Sequence, residues 1–395
     1  MPIRSLEGIR VAAFTQFLLG PAGVQLLADL GADVVKVEAP HQGAWERHWS
    51  GAESFPGGVS AFFMLANRNV RSVTLNLKSD PGLEAARKLI ESSEIVVENF
   101  RPGVMDRLGL GYQSAKQLRP EIVYVSASGY GSRGPYRDLP GQDLLIQAVS
   151  GLASISGRAG EHPVPLGAAM VDQHGAALLA MATLAAVLHR DRTGEGQHVE
   201  VVMLDAALDL ATEPVVYHMS GAQLERPRSW VTDTFHAAPY GIYPTSDGAV
   251  AISMSPVAQV RHALGDPPEL EPFEDPAIAF ERRDDISTAL GRLLQGMPTR
   301  EVVERLRAEA VWCAPVNDLE TALADPAVRY LNPVLEFDHP EAGRVRVLKH
   351  PVRYGVGEPR LRHLPPRVGE HTDQVLGELG YSADSIAAMR SSGTV

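Results

Sequence analysis

Residues 9–38 read IRVAAFTQFLLGPAGVQLLADLGADVVKVE, and this stretch decides the fold. Residues 10–14 (RVAAF) and 33–38 (DVVKVE) are short runs rich in apolar and β-branched side chains, while 21–30 has apolar residues at helical spacing. Strand, helix and strand joined by short connections form a parallel pair, because the helix carries the chain back along the sheet. The theme continues with strands expected at 72–77 (SVTLNL), 94–98 (EIVVE) and 121–126 (EIVYVS), and a helix at 80–92 opened by Asp80-Pro81 in the N-cap and first-turn positions. Alternation of this kind predicts an α/β fold, a parallel sheet covered on both faces. Its ligands would bind beyond the carboxyl ends of the strands.

Outward from this core, residues 173–190 (QHGAALLAMATLAAVLHR) predict a long buried helix stopped at Gly194. A strand is expected at 198–203 and one further helix at 204–219. From about residue 224 the composition turns to Pro, Arg, Trp and Thr, as in a crossing segment. Residues 240–255 then read as a hairpin turning at Asp247-Gly248, followed by helices at 284–294 and 299–309. A helix pair at 372–379 and 383–389 closes the chain. The expected organisation is a large domain over 1–222, a crossing segment with a small α+β domain over 223–330, and a return to the large domain over 331–395.

The 395 residues carry 36 Lys and Arg against 48 Asp and Glu, a net charge of −12. General attraction to nucleic acid or to an anionic membrane is not expected, and an anionic ligand would need a local basic pocket. The single Cys313 rules out an internal disulfide framework and fits a reducing cytoplasm. It lies in an apolar, strand-like segment with no activating base, where structural burial is the expected role. The opening MPIRSLEGIRVAAF lacks the apolar core of a secretory signal, and apolar stretches long enough to span a membrane are not expected. The 13 histidines show no metal-ligand spacing, so no metal is expected.

Walker, GxSxG and HExxH patterns are absent, which disfavours phosphoryl transfer, lipase-type hydrolysis and zinc proteolysis, and the strand-to-turn segment Leu18-Leu19-Gly20-Pro21-Ala22-Gly23 lacks the GxGxxG spacing of a dinucleotide fingerprint, which disfavours conventional dinucleotide chemistry. Two constellations remain. Asn67-Arg68-Asn69-Val70-Arg71 precedes one strand, and Glu98-Asn99-Phe100-Arg101-Pro102-Gly103 ends another, with Arg107 one turn later. Cations and backbone amides between a strand end and a helix start favour phosphate. Arg71 and Arg107 read equally well as surface ion-pair partners, and Asn99-Phe100 as a buried turn. The second constellation is Asp172, at the mouth of the long apolar helix. Asp is a favoured N-cap, and helix-end amides would hold it charged. An ionised, poorly hydrated carboxylate there is also a competent nucleophile towards an acyl carbon.

In order along the chain, GPAGVQLLADLGADVVKVEAP, NRNVRSVTLNLKSDPG, ENFRPGVMDRLGLGY, PEIVYVSASGYGSRGPYRDLPGQD, MVDQHGAALLAMATLAAVLHRDRTGEGQHVEV and GEHTDQVLGELGYSADSIAAMRSSG resemble the class III coenzyme A transferases, the CaiB/BaiF family. The family includes formyl-CoA transferase, carnitine CoA-transferase and α-methylacyl-CoA racemase. The resemblance implies a large Rossmann-like parallel-sheet domain with a smaller α+β domain, in an interlocked, ring-like homodimer. It places the catalytic aspartate at Asp172. It assigns coenzyme A contacts to Leu18, Leu19, Leu75, Asn76, Leu77, Lys78, Asn99, Phe100, Arg101, Arg107, Gln142 and Asp143, with Arg71 as a candidate partner of the adenosine phosphate. The implied function is transfer of coenzyme A from an acyl-CoA donor to a carboxylic acid acceptor through covalent intermediates on Asp172. Coenzyme A is then a substrate, and no permanently bound cofactor is implied.

Departures from the family narrow this reading. Its racemases carry Gly-His-Asp where this chain has Gly141-Gln142-Asp143, and a glutamine cannot accept and return a proton at neutral pH. His174 could substitute, but two residues along a helix it points away from Asp172. The oxalate-using members carry a glutamine where Leu18 stands, and a tetraglycine loop where this chain reads Thr234-Phe235-His236-Ala237-Ala238-Pro239-Tyr240. Both differences argue against formyl-CoA with oxalate and for a less polar pocket, although Phe235, His236 and Tyr240 could simply pack a domain junction. A racemase-type isomerase and a non-catalytic coenzyme A binder are the alternatives.

Overall fold

Six parallel strands, β1 (Arg10–Phe14), β2 (Asp33–Glu38), β3 (Val70–Thr74), β4 (Ile95–Glu98), β5 (Val123–Ser128) and β6 (Gln197–Val202), form one sheet in the order β3-β2-β1-β4-β5-β6. The structure, a computed structural model, describes residues 2–395. The helices of this part are α1 (Leu19–Asp29), α2 (Ala61–Ala66), α3 (Asp80–Glu91), α4 (Val104–Arg107), α5 (Tyr112–Leu118), α6 (Asp143–Val149), α7 (Met170–Thr193) and α8 (Met203–Leu210). Strands β1 to β4 are buried on both faces except at the two N-terminal residues Arg10 and Asp33. Their runs therefore do not alternate, and buried polar residues among them, such as Lys36, Glu38, Arg71 and Ser72, have partners.

The strand order puts a switch point between β1 and β4: the connection from β1 leads to one side, that from β4 to the other. At such a point the two connections diverge and leave a crevice outside the carboxyl ends. Several boundaries differ from the sequence expectation. β3 ends at Thr74 because the chain leaves the sheet there: the Leu75 N–H still reaches Glu38 O, but the Asn76 N–H donates to Thr394 O. The cap of α3 is Ser79, whose hydroxyl accepts the Gly82 N–H, with Asp80 and Pro81 inside the first turn. The helix expected over 204–219 is two helices, α8 and Thr212–Met219. Pro214 has no N–H to offer the Leu210 carbonyl, which breaks the ladder there. An antiparallel hairpin, Val334–His339 with Gly343–Leu348, was not anticipated.

Helix α7 has 24 residues and ends on Gly194 at φ 77°. Against expectation it is long and apolar enough, by length and composition, to cross a membrane, and it is not fully buried. One face packs on α1, β5, β6 and α8, while Met181 and Leu188 are exposed. The chain divides into two compact units. The first comprises residues 1–146, 168–210 and 333–395; the second comprises 147–167 and 211–332. The expected borders at 222/223 and 330/331 move accordingly, and residues 147–167 leave the large domain. The second unit holds an antiparallel sheet of β7 (Gly241–Pro244), β8 (Ala249–Ile252) and β9 (Cys313–Pro315). Its core includes Tyr243, Leu290 and Leu306, and Cys313, in β9, is half-buried beside them.

One close crossing positions the loop before α6. A Cβ on Gly129 would lie 2.4 Å from the Gly141 Cα, and one on Gly141 would lie 2.3 Å from the Gly129 Cα. Backbone meets backbone, so neither position can yield by a rotamer change. Gly129→Ala is expected to destabilise the protein by on the order of 1–3 kcal/mol. A urea midpoint equal to that of the wild type would show that this crossing does not constrain the loop.

Candidate active site at the switch-point crevice

Asp172 lies in the first turn of α7 and is not its cap. The N-cap is Ala169, which has no side chain to cap with, and the free Asp172 N–H donates to Asp143 Oδ2 at 3.0 Å. Asp143, in the first turn of α6 and itself buried, thus accepts from the end of α7. The favourable helix-end interaction goes to Asp143 instead of Asp172. This corrects the expectation that helix-end amides keep Asp172 charged. Burial pushes the Asp172 carboxyl up to about 7, and the nearby Asp143 charge adds to the rise. Near neutrality Asp172 exchanges a proton readily, and its ionised form is a desolvated carboxylate.

The mouth of the crevice is built by Asn99, directly after β4. Its Oδ1 accepts the Gln16 N–H and its Nδ2 donates to the Gln16 carbonyl, both at 2.8 Å. Asn99 therefore joins the ends of β1 and β4 with the pairing of a strand, and reads as the buried turn as much as a ligand contact. Gly20 makes room for it, since a Cβ there would lie 2.8 Å from Asn99 Cγ. Leu18 and Leu19 are buried at the start of α1, where no side chain caps the helix. Phe17 takes a left-handed conformation at φ 63°, a strain of about 1–3 kcal/mol for a bulky residue. Its N–H is held by Glu46 Oε2, and Glu46 is fully buried against Lys36 Nζ at 2.6 Å. Helices α1 and α7 approach closely at Gly23 and Gly175, where added Cβ atoms would meet Leu179 Cδ2 at 2.8 Å and Leu19 Cδ1 at 2.5 Å.

Beyond β4, a cationic group surrounds Gly103, which has φ 80° at the start of α4. A Cβ there would lie 3.0 Å from Arg137 Nη2 and 3.2 Å from Arg107 Nη1, and Arg101 is exposed two residues earlier. None of the three forms an ion pair among the described residues. Arg137 was missed in the sequence because it follows β5 and has no partner by spacing. Glu98, in the sequence only the first member of the strand-end motif, carries a perturbed carboxyl: burial pushes it up to about 7, against hydrogen bonds from Ser126 and the Phe100 N–H. A protonated Glu98 leaves the end of β4 without a negative charge to oppose an anion.

Arg71 does not belong to this cationic group. Its guanidinium is committed to Asp33 and Glu378 through four hydrogen bonds of 2.6–3.1 Å, which makes it a structural tie between β2, β3 and the C-terminal helix Thr372–Glu378. The expected adenosine-phosphate role has no free donor pair to rest on. After β3, Leu75 is buried, Asn76 and Leu77 are half-buried, and Lys78 is exposed with its N–H turned onto Asn76 Oδ1. Gln142 is exposed and Phe100 half-buried. His174 Nε2 is 2.7 Å from Asp209 Oδ2, so its ring is engaged away from the carboxylate pair. In the second unit His236 is held by Asp233 at 2.7 Å and stacks on Tyr240 at 3.9 Å. Among the described residues, no group of three or more His, Cys, Asp or Glu is placed to hold a metal ion.

The model of CoA-transferase family III matches residues 6–372. A protein of Fusarium pseudograminearum named acyl-CoA transferase is 32% identical over 99% of this chain and 88% of its own length. The succinate–glutarate CoA-transferase of Agrobacterium fabrum is 30% identical over 96% of this chain and 97% of its own. Among solved structures, a CaiB/BaiF family protein from Brucella suis superposes with a TM-score of 0.83 at 29% identity, covering 95% of this chain and all of that one.

The raised Asp172 pKa has a consequence for stability. The folded residue keeps its proton up to about pH 7, whereas an unfolded aspartate loses it near 3.9. The native state then binds the extra proton, and its stabilising effect is lost as pH rises through that window. Asp172→Asn has no charge to desolvate, so its stability relative to wild type is expected to grow by about 1–3 kcal/mol from pH 4 to pH 8. Urea unfolding at the two pH values checks this, and a pH-independent difference would show that the carboxyl is not desolvated.

Proposed function

The chain belongs to CoA-transferase family III, and on that premise we propose that it moves coenzyme A between carboxylic acids with Asp172 as the nucleophile. The observation that carries this reading is the desolvated Asp172 carboxyl beside Asp143, in the first turn of a helix packed on α1, the helix that leaves the switch point. Ionised Asp172 attacks the thioester carbonyl, the C–S bond breaks, and coenzyme A leaves as thiolate. A thiol pKa near 8.5 makes that departure easy. The thiolate attacks the aspartyl carbonyl of the mixed anhydride and expels the donor carboxylate, leaving an aspartyl-CoA thioester. An acceptor carboxylate then displaces the thiolate, and thiolate attack on the new acyl carbon yields acyl-CoA and free Asp172. No proton is consumed and acyl activation is retained.

Coenzyme A phosphates find their charge partners at Arg101, Arg107 and Arg137, around Gly103. Leu75, Asn76, Leu77 and Lys78 are the contacts expected after β3. Gln142 supplies no second proton-transfer group, which leaves the isomerase reading without support. We further propose that two copies pair over the outer face of α7, where Met181 and Leu188 lie two turns apart and exposed. We also propose a cytoplasmic location, a reading supported by the single, half-buried free cysteine.

During turnover, hydroxylamine trapping and mass spectrometry are expected to find an acyl or CoA adduct on Asp172, with kcat/KM rising as pH passes about 7. Asp172→Ala is expected to lose on the order of 10⁴-fold or more in kcat, and undiminished transfer by that variant would refute the mechanism. Light scattering is expected to give twice the chain mass, falling towards one chain in Met181→Lys with Leu188→Lys. A monomeric wild type would overturn the pairing.

A further inference from the structure

Beside the Asp172 helix runs an exposed row of aromatic rings that the chemistry above leaves unused. Phe17 stands 4.6 Å from Trp45, Trp45 is stacked on Trp49 at 5.6 Å with 23° between planes, and Trp49 meets Phe62 edge-on at 4.8 Å. Phe17, Trp45 and Trp49 are each about 45% exposed, which is costly for three large rings in one contiguous row and marks a binding surface. The row leads to the reacting carboxylate. Phe62 packs on the cluster of Leu18, Ala22, Ala66 and Ala176, as does Ala169, the N-cap of α7 three residues before Asp172.

The row is also fixed and electrically neutral. Phe17 is locked by its left-handed backbone and by Glu46, and Glu46 neutralises Lys36. Arg47, next to Trp45 in the chain, pairs with Glu38 at 2.7 Å and lies over the Phe63 ring at 3.7 Å. The lysine and arginine of this wall are thus already matched, and the ring of His48, between Trp45 and Trp49 in the chain, is engaged with the Gln42 carbonyl at 2.7 Å, so these three side chains are committed within the protein. We infer that the row is the wall for the acyl group, and that the acids exchanged are monocarboxylates with a large apolar, best an aryl, substituent. A ring lying on Trp45 and Trp49 would replace water on their faces, with its carboxyl end towards Asp172.

This rests on the transferase reading, and the experiment separates the two. The purified full-length enzyme is given 3-phenylpropanoyl-CoA or succinyl-CoA as donor, with 3-phenylpropanoate or glutarate as acceptor, and products are followed by mass. The expected preference is about tenfold or more in kcat/KM for the phenyl acid. Trp49→Ala is expected to reduce that ratio about tenfold, with most of it restored in Trp49→Phe. Two of the four tryptophans are in the row, so 3-phenylpropanoate is expected to quench intrinsic fluorescence in the wild type, and glutarate is not. That binding measurement needs no variant to fold. Equal or greater use of glutarate, an unchanged ratio in Trp49→Ala, or no quenching because a second copy covers the rings would each overturn the inference, while an adduct on Asp172 would leave the transferase standing. Absence of adduct and of transfer with both donors would instead remove the transferase reading.

Discussion

The site depends on one hydrogen bond, from the Asp172 N–H to the Asp143 carboxylate. A helix beginning with Ala169 has no capping side chain of its own, and a buried amide without a partner would be costly. Asp143 supplies the acceptor from another helix. In doing so it takes the electrostatic benefit of the helix end and sets a negative charge beside Asp172. Burial and that charge act in the same direction on the Asp172 carboxyl. The same arrangement that completes α7 thereby produces a carboxylate that is poorly solvated when ionised. The close crossing of Gly129 and Gly141 belongs to this device, because it sets the path of the chain just before Asp143.

The crevice is organised by a second two-sided contact. Asn99 pairs with both main-chain groups of Gln16 and so extends the β1–β4 pairing by a side chain, after the strands themselves have ended. The next residue on one side is the strained Phe17, and the next on the other is Phe100, whose amide is held by Glu98. Apolar and cationic surfaces are thus separated along the sheet edge: the aromatic row follows from β1 and β2, and the unpaired arginines follow from β4 and β5.

Buried ion pairs hold elements at both ends of the sheet in place rather than contributing much net stability. Lys36 with Glu46 is fully buried, and Arg68 with Asp29 nearly so. Desolvation of both partners offsets most of the attraction in pairs of this kind, while removal of one partner would leave an uncompensated charge. Their effect is positional. Glu46 holds Phe17, and Arg68 ties α1 and the Leu348 carbonyl of the C-terminal hairpin into the first unit.

The parallel sheet is legible in the residues alone, because runs such as RVAAF and DVVKVE cannot be half-exposed, and a helix between them forces a right-handed crossover. The sequence also singled out Asp172, Asn99, Arg101 and Arg107 through composition, position at strand ends and likeness to a family. It could not tell Arg71 from Arg107, since both precede or follow a strand with similar neighbours. Only the tertiary structure shows that Asp33 and Glu378, remote in sequence, consume the first, while the second and Arg137 stay unpaired. Nor could it place Asp172 inside the helix instead of at its cap, because the acceptor for the helix end comes from Asp143, 29 residues away. Periodicity reports which faces are buried. Which charges meet, and therefore where a carboxyl holds its proton, is decided by distances that arise only when separate elements pack.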